Sequence, residues 1–337
     1  MKINTAELKT ALERVKPGLA NKDLVEQATS FAFLGDRVVT YNDEISVSHP
    51  VNNLNIRGAI KAQTMYAFLS KLKAEEVDFT QEDSQIILKA KRSKAGLYLE
   101  SKITLPIEEV GDIPEWNPLP DDFLDGLKLC VPCCATDMSR PIITCVNVAA
   151  KQMEASDGYQ VIVYRLDSEM PVDPFLLPVS AARALLAYPV KHIAAGANWV
   201  HFKTNEGTVF SSRVLSDTFP NLAQILAVEG ESISFPKSIA QSLDKAKVFS
   251  RPIEGDGPKS VSIHIEDGRM HVVANNVDGW FDGEARIQYK GTPMRFLVGV
   301  DFLHNLLGRI QDCVIGASRI QFLGDKWTHV IAISPDA

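Results

Sequence analysis

Apolar residues recur along the chain at two periods, one helical and one strand-like. Leu8, Ala11, Leu12 and Val15 stand at i, i+3, i+4 and i+7, the single stripe of an amphipathic helix. Asn4 with Glu7 three residues on makes a capping pair, and Pro17-Gly18 ends the segment. The same helical spacing returns at Met65, Phe68, Leu69 and Leu72, and at Ala184, Leu185 and Tyr188 after Ser180. It returns again at Ile239, Leu243 and Ala246 after Pro236, and at Phe302, Leu303, Leu306, Leu307 and Ile310. A sixth and poorer stripe, Phe123, Leu127, Cys130 and Cys134, contains Pro132, which must end or kink it. The predicted helices begin near Thr5, Ala62, Asp121, Ser180, Pro236 and Val300, at intervals of 57, 59, 59, 56 and 64 residues. Such a regular period marks a repeated supersecondary unit.

Between the helices the pattern shortens to strands. Phe31–Leu34, Arg37–Tyr41 and Glu44–His49 are separated by Gly35-Asp36 and Asn42-Asp43, both turn dipeptides. Ser260–Ile265 and Met270–Ala274 flank Glu266-Asp267-Gly268, and Arg319–Leu323 and Trp327–Ile333 flank Gly324-Asp325. The unit is one helix plus short antiparallel strands, used six times. One helix cannot cover a sheet alone, so two units pack together as a domain of an α+β fold. Linkers are expected at Glu108–Pro120, rich in proline and acid, and at Ala227–Ser232. They bound three domains, 1–112, 119–229 and 231–337.

The chain has 337 residues, 45% hydrophobic and 23% charged, ordinary for a globular protein of two or three domains. No apolar run approaches the roughly 20 residues that span a bilayer, and Met1-Lys2-Ile3-Asn4 lacks a signal-peptide core. The five cysteines, Cys130, Cys133, Cys134, Cys145 and Cys313, are odd in number and bunched, unlike a disulfide framework; they read as core residues of a cytoplasmic protein. Cys130-x-x-Cys133-Cys134 lacks a second pair to complete a zinc site. The seven histidines are scattered, and no H-E-x-x-H, G-x-S-x-G or phosphate-binding loop occurs. The reading is a protein without catalysis, metal or cofactor. A net charge of −7 argues against a surface that grips nucleic acid all over, but not against a local basic face.

Gly207–Leu226 reads GTVFSSRVLSDTFPNLAQIL. A strand over Val209–Leu215 breaks at Asp217-Thr218, turns a corner at Phe219-Pro220, and leaves an apolar connector of Leu222, Ile225 and Leu226, too short in its periodicity for a helix. This stretch resembles the F-x-S-K/R-L-V strand and G-x-F-P-D/N corner of the bacterial DNA sliding clamp, the beta subunit of DNA polymerase III. Ala155-Ser156-Asp157-Gly158-Tyr159-Gln160-Val161 is similar to that family's A-T-D-G-H-R-L. The chain is thus similar to a bacterial-type clamp, as a divergent or phage-encoded member would be. It departs from the family where His-Arg is Tyr159-Gln160, and where the terminal M-P-M-R-L is Ile333-Ser334-Pro335-Asp336-Ala337.

The resemblance implies three tandem clamp domains and a head-to-tail homodimer ring, helices lining the hole and sheets outside, in the bacterial nucleoid or a phage host's cytoplasm. It implies sequence-independent binding of double-stranded DNA. The basic helix faces then line the pore through Lys9, Arg14, Lys71, Lys73, Arg183, Lys237, Lys245, Lys247 and Arg309, with Lys22 and Arg140 on loops before the first strands of domains one and two. It implies a cleft for the peptides of DNA polymerase, clamp loader and other clamp-binding-motif proteins. Gly158, Tyr159, Gln160, Val161, Pro220, Ile225, Val330, Ala332 and Ser334 form it, and the acid at Asp336 lowers its tolerance for acidic peptides. The dimer interface falls on the edge strand Gly96–Leu105, through Leu97, Leu99 and Ile103, and on Val248 and Phe249. The competing reading from the residues is a non-catalytic β-rich assembly protein without DNA contact; a metal-dependent nuclease ranks third.

Overall fold

The structure is a computed structural model, and it describes residues 2–252 and 257–336; Ala337, the end of the divergent tail, lies outside them. All six periodic segments are helices: α1 (Thr5–Val15), α2 (Ala62–Lys71), α3 (Phe123–Cys130), α4 (Val179–Leu185), α6 (Ile239–Ala246) and α7 (Val300–Leu307). A seventh, α5 (Ala223–Leu226), is a single turn inside the apolar connector, where the sequence pattern predicts no helix. Asn221 accounts for it, since its side-chain oxygen accepts from the Ala223 N–H at 2.9 Å and caps the turn. In α1, Asn4 accepts from Ala6 and Glu7 at 2.9 and 3.1 Å, and Leu8, Ala11, Leu12 and Val15 are buried. α3 stops at Cys130, and Pro132 lies in the tight turn Val131–Cys133, because a ring without an N–H cannot continue the ladder.

The chain folds into two compact units, Met1–Leu124 with Asp167–Asp217, and Asp125–Leu166 with Thr218–Ala337. The first holds a four-stranded sheet in the order Lys2–Asn4, Glu76–Glu82, Gln85–Ala90, Ser93–Tyr98. Its larger sheet runs Ile56–Lys61, Ser30–Gly35, Arg37–Tyr41, Ile45–Pro50, Val209–Arg213, Trp199–Thr204, Val190–Ala195, Asn117–Pro118. The seam of that sheet joins distant sequence: Phe210 lies opposite Val47 and Ser211 opposite Ser46. Asn117-Pro118, inside the expected linker, pairs as a strand with His192 and Ile193. The expected turns hold, with Asp43 at φ +76° and the Asn42 side chain accepting from Glu44 and Ile45.

In the second unit the strands follow one another as Cys145–Val148, Gln152–Ser156, Gln160–Arg165, Trp327–Pro335, Met294–Gly299, Lys259–Glu266, Arg269–Asn276, Gly279–Arg286. The nine-residue strand Trp327–Pro335 does most of the joining. Along one edge it pairs first with Gln160–Arg165 and then, past Ala332, with Met294–Gly299. Along the other it pairs with Arg319–Leu323. Beyond that strand lie Asp312–Gly316 and Gly230–Ser234, so the second expected linker also ends in a strand. α6 and α7 cover one face through Ile239, Leu243, Leu303 and Leu306 against Val261, Ile263, Val272, Phe296 and Val298. Among the described residues no helix is long and apolar enough to cross a membrane.

Candidate functional site

The turn Ser156–Gln160 is built to push one side chain out and draw the next one in. Asp157 Oδ1 accepts the N–H groups of Tyr159 and Gln160 at 2.8 and 2.9 Å. Gly158 takes φ +92°, a left-handed conformation that costs glycine little. Tyr159 is left 47% exposed. Gln160 turns inward instead of lining a surface: its Nε2 donates to Asp157 Oδ2 at 2.8 Å, and its Oε1 accepts from His329 Nε2 at 3.0 Å. The reason is local, since an amide can satisfy both a carboxylate and an imidazole in a site where it is 6% exposed.

The connector lies over the same sheet. Arg319 Nη1 donates to the carbonyls of Gln224 and Ile225 at 3.0 and 3.3 Å, and Gln321 Nε2 to that of Leu226 at 2.5 Å. Register sets the face, because directly opposite residues of an antiparallel pair point the same way. Val161, Val330 and Gln321 form one row. Ala332 lies opposite Arg319, and its N–H donates to the Tyr159 carbonyl at 2.8 Å. Ser334 lies opposite Leu297. Tyr159, Ala332, Ser334 and Pro220 are exposed, Ile225 is half-buried, and Val161 and Val330 are a buried floor. The structure therefore brings Tyr159, Val161, Val330, Ala332 and Ser334 to one sheet, with Ile225 held over it through its carbonyl by Arg319; Gln160 belongs to the same sheet but turns its side chain inward. It adds Arg319, Gln321 and His329, whose long-range partners leave no local signal in the sequence.

His329 beneath this face and His201 in the other unit are buried and neutral. Burial lowers His329 to about 3 and His201 to about 4. Both values lie below the unfolded imidazole value of about 6.5. Above pH 6.5 neither state holds the proton, and stability is unaffected; below it the unfolded chain protonates first, and stability falls down to the folded values. At pH 5 each imidazole costs about 2 kcal/mol. Melting temperatures taken at pH 7.5, 6 and 5 should fall steadily, with a shallower fall in His329→Gln. A flat profile would contradict neutral burial.

The basic residues are placed unevenly. Lys22, Lys71, Lys73, Arg183, Lys237, Lys245 and Arg309 are exposed. Arg14 is held by Glu206 at 2.5 Å, and Lys247 pairs with Asp301, so both charges are partly spent. Lys9 lies 5.8 Å from the Tyr66 ring centroid. Exposed Arg140 lines a cavity of about 940 Å³ that also holds Asp137, Asp157, Lys259 and Asp301, a mixed rather than a purely basic setting.

Of the expected interface side chains, Leu97, Leu99, Ile103 and Phe249 pack within this chain, and Val248 is exposed. Leu97 and Leu99 are 6% and 3% exposed, and Leu99 closes over Gly58; Ile103 packs on the cluster of Ala28, Ala32, Tyr41, Leu105 and Trp199. Phe249 packs on the core of the second unit. Alternation along the strand explains the first two, for it is Tyr98 between them that points out, 79% exposed. Val248, Val277 and Trp280 are 71%, 101% and 73% exposed, and Asn276 Nδ2 reaches the Val248 carbonyl at 3.4 Å, which sets the hairpin tip beside the end of α6. Ser93–Tyr98 and Gly279–Arg286 each end the order of their sheet.

The likeness to known proteins extends over the whole chain. No family model matches it, and no curated protein matches it. Among solved structures, the DNA polymerase III beta subunit of Pseudomonas aeruginosa is 15% identical with a TM-score of 0.86, covering 100% of both chains. The Bacillus subtilis DNA polymerase sliding clamp is 15% identical with a TM-score of 0.84, covering 100% of this chain and 99% of the other. The Thermotoga maritima beta subunit is 16% identical with a TM-score of 0.80, again covering 100% and 99%.

Proposed function

We propose that this chain, which has the sliding-clamp fold from end to end, is a DNA polymerase processivity factor. Two copies close head to tail around double-stranded DNA and tether polymerase, clamp loader and other partners by short peptides. The observation that carries the reading is the full-length match to clamps combined with the six-fold repeat of helix and strands. In this reading the chain has three domains, 1–112, 119–229 and 231–337, and works in the cytoplasm without catalysis. The exposed lysines and arginines of the helices face phosphates, giving binding without base readout. Tyr159, Val161, Pro220, Ile225, Val330, Ala332 and Ser334 form the peptide cleft.

Ring closure joins the edge Ser93–Tyr98 of one copy to the edge Gly279–Arg286 of the other. Open edges carry unpaired backbone groups that a partner strand satisfies. Tyr98, Val248, Val277 and Trp280 supply the apolar surface around them. Trp280→Asp should abolish closure, since it buries an unpaired carboxylate in the joint. Light scattering should give twice 37.1 kDa for the wild type and 37.1 kDa for the variant. A wild-type mass of one chain at micromolar concentration would count against the ring, as would an undisturbed Trp280→Asp dimer.

A further inference from the structure

The face that carries the cleft continues past Ser334. Ala332, Ser334 and Asp336 follow at every second residue, about 7 Å apart on one side of an extended chain. Ser334 sits opposite Leu297, and Leu297 opposite Ser262; in the next row Arg295 lies opposite His264. At this end the surface sinks into a pocket of about 480 Å³ lined by Arg251, Ser260, Ser262, His264, Arg295 and Asp336, among others.

By its charge alone Asp336 reads as a repulsive acid. Its carboxylate is instead held from three sides: Ser262 Oγ donates to it, Arg295 Nε donates at 2.8 Å, and His264 Nε2 stands at 3.1 Å. Those contacts hold its carboxyl below the usual range although burial opposes them. Asp336 is the one acid among the described lining residues, set against two arginines. Arg251 is exposed, opposite Ser260 in register, and free of an ion pair among the described residues. The nearest acids further along the row are engaged elsewhere, Asp282 by His271 at 2.9 Å and Glu284 by Arg269 at 3.3 Å. Among the described residues the pocket is thus a carboxylate-binding arrangement with one carboxylate seated, one arginine uncommitted and room beside it.

We infer that this pocket is a second subsite of the cleft, which takes an acidic side chain flanking the apolar anchor of the partner peptide. The inference rests on the cleft reading and sets its preference: acid is favoured at this end, not excluded. Arg251 is the specificity-determining residue, and Arg295 holds Asp336 and shares in the contact. A planar guanidinium suits a carboxylate in a way a lysine would not.

The test uses labelled peptides with the core Gln-Leu-Ser-Leu-Phe, extended by two residues at either end, the outermost being Glu or Gln. Wild type should bind the Glu form about fivefold more tightly at one end, the size of a partly exposed charge pair. Arg251→Gln should erase that preference, and Arg251→Lys should restore part of it. Arg251 is exposed, so its replacement leaves folding intact, which an unchanged melting temperature verifies. Equal affinity for Glu and Gln at both ends overturns the subsite alone, as does a preference that survives Arg251→Gln. Failure of every peptide to bind overturns the cleft reading and the subsite with it.

Discussion

Tyr159→Ala and Ile225→Ala should each weaken a labelled Gln-Leu-Ser-Leu-Phe peptide about thirtyfold in a fluorescence anisotropy titration, the consequence of losing roughly 2 kcal/mol at a buried anchor contact. The two positions suit the test because their side chains carry little of the fold. The turn under Tyr159 is held by backbone bonds to Asp157, which alanine keeps. The connector around Ile225 is held through its carbonyls by Arg319 and Gln321. Val161 and Val330, 5% and 2% exposed, are poorer probes, since truncating them also opens a cavity in the floor. Wild-type affinity in both variants would put the partner site elsewhere.

What is legible in the sequence is whatever is written locally. The stripe Leu8, Ala11, Leu12, Val15 marks a helix because burial follows its period. The turns at Asn42-Asp43 and Asp267-Gly268 mark hairpins because few residues accept positive φ. The short helix over the connector escapes the pattern because one capping asparagine makes it, not a periodic stripe. Partners distant in sequence are not legible at all. Nothing near Val47 announces Phe210 beside it, and nothing near Asp336 announces Arg295. The sequence shows Asp336 by its charge, while the structure shows it by its company. Leu97 and Leu99 fall to a surface when judged by their edge strand, yet an edge strand still has an inner face. Tyr98 and Trp280 escape notice for the same reason, since exposure is a property of the folded sheet.

The central claim is topological: a closed ring stays on DNA because it surrounds it, not because it grips it. The chain's net charge of −7 and the ion pairs that occupy Arg14 and Lys247 make tight phosphate binding a weak alternative. Ordinary phosphate binding, moreover, loses about 10³ or more in affinity between 50 and 200 mM salt when six or more contacts are made. An encircling protein has no such dependence once loaded. The most direct measurement loads the protein on a singly nicked circular plasmid, isolates the complex by gel filtration in high salt, and repeats the isolation after cutting the plasmid once with a restriction enzyme. The ring predicts protein that co-elutes with the circle and runs off the linear form within minutes; equal retention on both forms, or loss from both in high salt, would contradict it.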